Sequence, residues 1–232
     1  MKLQGSTALV TGANRGLGRH IAQQLRDRGV TVYAGARVPS SVDLAGVTPL
    51  ALDVTDLDSI AAAAAVAQDV SILVNNAGIG TGAAFLTGSV SDIRREFDTN
   101  FFGTLDVTRA FAAQLTAHEE SYVLNILSVL SWFSSATSGG YSASKSAEWS
   151  LTNGLRQELA QHGTRVAGLH VGYMDTDLAS AIEAPKLDPA EIARIAVDGI
   201  ESGETEIIAD ELSRNVRAGL AGGVAALYPD VA

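Results

Sequence analysis

Between residues 7 and 209 the chain alternates short β-branched runs with helical stretches, and this alternation restricts the possible folds more than any other feature. Repeated strand–helix–strand order implies parallel strands joined by crossovers, with helices covering both faces of the sheet. Residues 7–10, 30–35, 49–52, 71–74, 122–127, 165–171 and 206–209 read as strands. Residues 15–28, 56–68, 91–115, 141–161 and 189–202 read as helices, the first stopped by Gly29 and the last opened by Pro189. Strands buried on both faces are continuously apolar, as in Ile72-Leu73-Val74 and Val123-Leu124. With no repeat, low-complexity tract or linker, the expectation is one α/β domain over residues 1–232. It would be a Rossmann-type, doubly wound parallel sheet of about seven strands. Ligands of such sheets bind beyond the carboxyl ends of the strands, so motifs at strand ends carry the functional weight.

Composition removes several function classes. Asp and Glu number 26 against 16 Lys and Arg, for a formal charge of -10, so the surface repels phosphate backbones and nucleic acid is not an expected partner. With no cysteine there is no disulfide framework, thiolate nucleophile or Cys-ligated metal. His20, His118, His162 and His170 are scattered without metal-ligand spacing, so no metal site is expected. The longest purely apolar run, residues 60–67, falls far short of the roughly 20 residues of a membrane span, and residues 1–5 lack a signal-like apolar stretch. A cytoplasmic protein without a membrane partner is the corresponding expectation.

The first predicted strand runs into Thr11-Gly12-Ala13-Asn14-Arg15-Gly16-Leu17-Gly18, which then enters the first helix. Glycines let the backbone turn tightly and approach an anion, and a helix start offers free N–H groups and a positive dipole end. Such a loop suits a pyrophosphate, and its place in a strand–helix–strand unit strengthens that reading.

Taken with three further motifs, this loop resembles that of the short-chain dehydrogenases/reductases. The family's TGxxxGxG is present in full at residues 11–18, and Asn75-Asn76-Ala77-Gly78 matches its NNAG. Asp53-Val54 matches the acidic–aliphatic pair that contacts adenine, and Tyr141-Ser142-Ala143-Ser144-Lys145 matches YxxxK. The resemblance extends from about residue 5 to 209. It implies a nicotinamide dinucleotide held by Gly12, Asn14, Arg15, Gly16, Leu17, Gly18, Asp53, Val54, Asn75, Ala77 and Gly78. It adds Gly172 and Thr176 beside the nicotinamide, although Val171 stands where many members have proline. Leu127 replaces a second serine common in the family.

Tyr141 and Lys145, four residues apart on a predicted helix, share one face. A phenol with a pKa of about 10 is a poor proton shuttle at neutral pH, and a nearby ammonium favours the phenolate. That tuning is what a general acid/base requires. The resemblance adds Ser128, a hydroxyl that steadies a substrate oxygen, and Asn100, which holds a water linking Lys145 to solvent. It also gives Tyr141 and Lys145 a part in binding the cofactor.

Members that prefer NAD carry an acid at the end of the second strand. Here Ala36 occupies that position and Arg37 follows it, while Arg15 resembles the second basic position of NADP-preferring members. The expected cofactor is therefore NADP(H). The expected reaction is reversible, NADPH-dependent reduction of a ketone or aldehyde to an alcohol. An oxidatively working NAD(P)-dependent secondary alcohol dehydrogenase and a non-catalytic dinucleotide sensor are the alternatives. Trp132 and Tyr173 are candidates for the substrate pocket, residues 173–190 for a small lid. The sparsely charged end of helix 91–115 is a candidate partner surface, the family commonly forming dimers or tetramers.

Overall fold

The computed structural model describes residues 1–230. Its strands are β1 (Thr7–Thr11), β2 (Thr31–Ala36), β3 (Thr48–Ala51), β4 (Ile72–Asn75), β5 (Ser121–Ile126), β6 (Thr164–His170) and β7 (Glu206–Ile208). Its helices are α1 (Gly16–Asp27), α2 (Leu57–Val66), α3 (Val90–Phe97), α4 (Thr104–Thr116), α5 (Gly139–Ala160), α6 (Pro189–Ser202), α7 (Glu211–Gly219) and α8 (Gly223–Leu227). The strands form one sheet in the order β3-β2-β1-β4-β5-β6-β7. Every neighbouring pair is parallel. This is the doubly wound Rossmann-type sheet that the alternation predicts. Strand order reverses between β1 and β4, so the loops leaving these two strands diverge and open a crevice at their carboxyl ends.

Side-chain alternation along each strand sorts the interior into two cores. Ala8, Val10, Ile72, Val74, Tyr122, Leu124, Ala167 and Leu169 face α1 and α6, meeting Ile21, Leu25, Val197 and Ile200. Leu9, Leu73, Val123 and Val166 face the other side, meeting Ile60 of α2, Phe111 and Leu115 of α4, and Leu155 of α5. At roughly 1.5–3 kcal/mol for each large apolar side chain taken from water, burial on both faces holds the layers together.

Helix ends follow local chemistry. Asp56 caps α2 by accepting from the N–H groups of Asp58 and Ser59, and Asp188 caps α6, with Pro189 in its first turn. Gly203, at φ +75°, ends α6 in the left-handed conformation that glycine tolerates.

The structure departs from the predicted helix 91–115. The chain there runs as α3, a six-residue π-helical segment Asp98–Gly103, and α4. The wider turn accommodates two local demands. Asn100, fully buried, accepts from Ile79 N (2.9 Å) and donates to Ile79 O (3.0 Å) and Ser144 Oγ (2.9 Å). Gly103 packs against β3's exit, where a Cβ would stand 2.9 Å from Val54 Cγ2. Helices α7 and α8 lie beyond the last element predicted. Asp210 starts α7 by accepting from Ser213 N (2.9 Å), and its carboxylate also accepts from Gly172 N (2.8 Å). Among the described residues, no helix is long and apolar enough to cross a membrane.

Candidate functional site

The loop between β1 and α1 takes its shape from glycine. Gly12 and Gly16 sit at φ +65° and +53°, in the left-handed region that side chains disfavour. A Cβ on Gly18 would overlap both Asn76 Nδ2 and Gly12 O. The exit of β4 clamps this loop from the side. Asn76 Nδ2 donates to Thr11 O (2.8 Å) and Gly12 O (3.2 Å), while Thr11 Oγ1 accepts from the N–H groups of Asn76 and Ala77, 2.9 Å each. Arg15 precedes helix α1 without capping it through its side chain, and the first turn of α1 carries no acid. Its leading N–H groups and positive end therefore suit an anion. The close-approach cradle and bare helix start fit a dinucleotide pyrophosphate.

Other predicted residues ring the same crevice. Leu17 is buried, Asn14 half-buried and Arg15 exposed, with Arg15 Nη1 2.6 Å from Asp177 Oδ2. Ala36 ends β2 with no carboxylate, and Arg37 follows it exposed to solvent. Asp53 Oδ1 accepts from Thr55 N (3.0 Å) and Thr55 Oγ1 (2.8 Å) beside buried Val54. Burial alone would raise the Asp53 pKa, but the Thr55 bonds and the Arg37 charge bring it below the ordinary carboxylate value. The Asn75 side chain is turned inward, donating to Asn125 Oδ1 (2.9 Å) and Thr108 Oγ1 (3.0 Å). A Cβ on Gly78 would stand 3.2 Å from Asn100 Oδ1 and 3.8 Å from Lys145 Nζ, which places the β4 exit directly over that pair. Gly16 similarly abuts Thr176, where a Cβ would stand 3.4 Å from Cγ2.

Tyr141 and Lys145 lie on the first turns of α5, with Ser128 facing the phenol from the exit of β5. Ser128 Oγ accepts from Leu130 N (3.1 Å), which uses a lone pair and leaves the hydroxyl proton free to donate. Lys145, 5% exposed, donates from Nζ to Ile126 O (2.7 Å) and to Glu148 Oε2 (2.6 Å). Burial raises the Tyr141 pKa, Lys145 pulls it back down, and Glu148 and Glu96 oppose the lysine. Burial would lower the Lys145 pKa, but the Glu148 carboxylate outweighs it and holds the ammonium above its ordinary value.

The model of the short chain dehydrogenase family matches residues 6–187. The chain belongs to the short-chain dehydrogenase family. A short chain dehydrogenase of Burkholderia cenocepacia, solved in complex with NADP, superposes with a TM-score of 0.94 at 33% identity, covering 99% of this chain and 98% of that one. Ketoacyl reductase HetN of Nostoc sp. is 31% identical over 229 residues, 90% of this chain and 80% of the relative. D-erythrulose reductase of Gallus gallus is 32% identical over 184 residues, 77% of this chain and 75% of the relative. The protein is accordingly an NAD(P)-dependent oxidoreductase that acts on a small molecule.

In this short-chain dehydrogenase, the two residues predicted to line a substrate pocket do not line one cavity. Trp132 is buried and stacks on His170, ring centroids 3.8 Å apart and planes at 15°. It borders a depression of about 240 Å³ together with Phe85, Phe133 and Tyr228. Tyr173 borders a different depression of about 160 Å³, with Gly172, Leu187 and Asp210. Separate elements carry the two aromatic side chains: Trp132 follows β5 and Tyr173 follows β6.

Three residues absent from the predicted set bind into the site. Thr11 and Asn76 both stand inside motifs legible in the sequence, but their bonds join two distant loops. Glu148 stands one helical turn after Lys145, a spacing visible in the sequence, yet only packing shows that it is buried.

Proposed function

We propose that the protein is an NADP(H)-dependent carbonyl reductase, reversibly converting a ketone or aldehyde to an alcohol. The observation carrying this reading is that Lys145 lies under Gly78, Tyr141 packs beside Gly80 and Ser128 faces the phenol, next to the glycine cradle. Gly12, Asn14, Arg15, Gly16, Leu17 and Gly18 would hold the pyrophosphate side of the dinucleotide. Asp53 and Val54 would hold the adenine, and Asn75, Ala77 and Gly78 would line the path to the nicotinamide with main-chain groups. Gly172 and Thr176 would flank the ring.

When bound, NADPH supplies the hydride. Ser128 donates its free proton to the substrate oxygen and steadies the charge developing there. Tyr141 transfers its phenolic proton to that oxygen, and its O–H bond is the one broken. Lys145 keeps a positive charge beside the phenol, so the phenolate left behind is stabilised. Asn100 ties Ile79 of the β4 exit to Ser144 of α5, fixing the α5 turn that carries the pair. Residues 173–190 act as a lid, with Trp132 and Tyr173 at two parts of the approach rather than on one wall. A homodimer or homotetramer belongs to the same reading, supported by the exposure of Val90 at the start of α3 and of Phe102 in the π-helical segment.

NADP preference rests on Arg37 and Arg15 and on the absence of an acid at the end of β2. Charge-assisted bonds of roughly 1.5–3 kcal/mol each to the 2′-phosphate give a preference of about a hundredfold or more. Two measurements test the proposal: NADPH consumption with a panel of ketones and aldehydes, and dissociation constants for NADPH and NADH in wild type and Arg37→Ala. Turnover with tighter NADPH binding that Arg37→Ala weakens is expected. Equal affinities for the two cofactors, or no carbonyl turnover, would overturn it.

A further inference from the structure

Glu148 is almost wholly buried, at 1% exposure, in a helix interface where a carboxylate is costly. Its Oε2 lies 2.6 Å from Lys145 Nζ, and its Oε1 accepts from Thr104 Oγ1 at 3.2 Å. The single Thr104 hydroxyl proton is shared between that carboxylate oxygen and Asn100 O (3.0 Å), so the acid is tied to the backbone of the π-helical turn. An ammonium has three donors. The Lys145 ammonium spends one on Ile126 O and one on Glu148, which leaves a single N–H for the crevice.

We propose that Glu148 is a positioning residue of the reaction: a buried counter-charge that anchors Lys145 from beneath and tempers its pull on the Tyr141 phenol. The inference rests on the carbonyl-reductase reading for the role of Tyr141. Removing an acid from a buried ion pair leaves an uncompensated cation. The Tyr141–Lys145 pair then gives up its proton at lower pH, because the negative charge that opposed this step is gone. The charged group facing the phenol from another element is Glu96 of α3, whose Oε1 accepts from Thr81 N (2.6 Å) and Thr81 Oγ1 (2.8 Å). Ser128 and Asn100 face the pair as neutral groups. Glu96 is common to every variant compared below, so its contribution cancels.

Glu148→Gln keeps the shape, an acceptor for Lys145 and a partner for Thr104, and removes the charge. Tyrosinate absorbance of the cofactor-free protein, taken as the difference from the matching Tyr141→Phe protein, reads the phenol without any turnover. The expected midpoint falls by about one pH unit, a tenfold loss of proton affinity, and the alkaline limb of NADPH-dependent reduction moves with it. Glu148→Asp keeps the charge on a shorter arm. Its midpoint stays near that of wild type, while NADPH binding, read by fluorescence titration, weakens roughly threefold to tenfold through the loosened anchor. Should Glu148→Gln not fold, the Glu148→Asp pair of readings decides alone: a displaced midpoint or an unchanged NADPH affinity overturns the proposal. An unmoved tyrosinate midpoint in folded Glu148→Gln, whatever happens to its melting temperature, assigns Glu148 to packing only and overturns it as well. A wild-type protein that reduces no carbonyl defeats the reductase reading, while the tyrosinate difference still measures whether Glu148 acts on the phenol.

Discussion

Arg15 and Asp177 form an ion pair, Nη1 to Oδ2 2.6 Å, that ties the glycine loop to the segment following β6. Both side chains are mostly exposed, at 67% and 73%, so the pair contributes at most about 1 kcal/mol. The same guanidinium is the proposed second partner of a 2′-phosphate, and the two acceptors compete for it. Asp177→Ala frees Arg15 and is expected to tighten NADPH binding about twofold to threefold without changing NADH binding. Fluorescence titration with both cofactors checks this; weaker NADPH binding would mean that the ion pair organises the site.

Tyr141→Phe removes one hydroxyl and leaves the ring in place. Cofactor affinity is expected to remain within about threefold of wild type, while carbonyl reduction falls by about 10²- to 10⁴-fold, the usual contribution of a general acid. Steady-state kinetics beside an NADPH titration separates the two effects, and near-normal turnover would strip Tyr141 of its role.

Asn76 makes two hydrogen bonds to the carbonyls of Thr11 and Gly12. At about 1 kcal/mol each, Asn76→Ala is expected to cost about 2 kcal/mol in urea unfolding. It also loosens the phosphate cradle, so NADPH binds roughly tenfold more weakly. Full stability with wild-type affinity would show that the glycine loop holds its shape unaided.

His170 is fully buried against Trp132, and burial pushes its pKa down to about 4, helped by Arg217 and Arg156 and opposed by Ser128 O. Its folded-state pKa lies below the ordinary value of 6.5, so the unfolded chain takes up the proton first as pH falls. The stabilisation is fully present above about pH 6.5 and is lost as pH drops toward about 4, with about 2 kcal/mol gone by about pH 5. Denaturant unfolding of wild type and His170→Phe at about pH 7 and about pH 5 measures this. A smaller pH dependence in the variant is expected, and identical dependence would place the acid sensitivity elsewhere.

Lys145 and Glu148 show where legibility stops. Tyr141 and Lys145 share a face because an α-helix repeats locally, so their adjacency can be read from spacing alone. Glu148 obeys the same spacing, but an acid on a helix is ordinarily solvated, and only the packing of α4 against α5 buries this one. The π-helical turn at Asn100 depends on Ile79 and Ser144, both distant in sequence, so periodicity extends the helix straight through it. Trp132 and Tyr173 look alike as aromatic residues after strands, but Trp132 packs with Phe85, Phe133 and Tyr228 while Tyr173 borders Leu187 and Asp210, so they line different depressions.

The alternating elements, the parallel sheet and the glycine cradle were legible in the order of residues, because strand burial, helix period and positive φ are local demands on residue type. Which side chains meet across the crevice was settled by folding in three dimensions: Asn76 on the Gly12 carbonyl, Asp177 on Arg15, and Glu148 beneath Lys145. Those contacts join residues from separate loops or bury a charge between two helices. Their energies depend on distance and desolvation, which exist only after the sheet has brought the strand ends together.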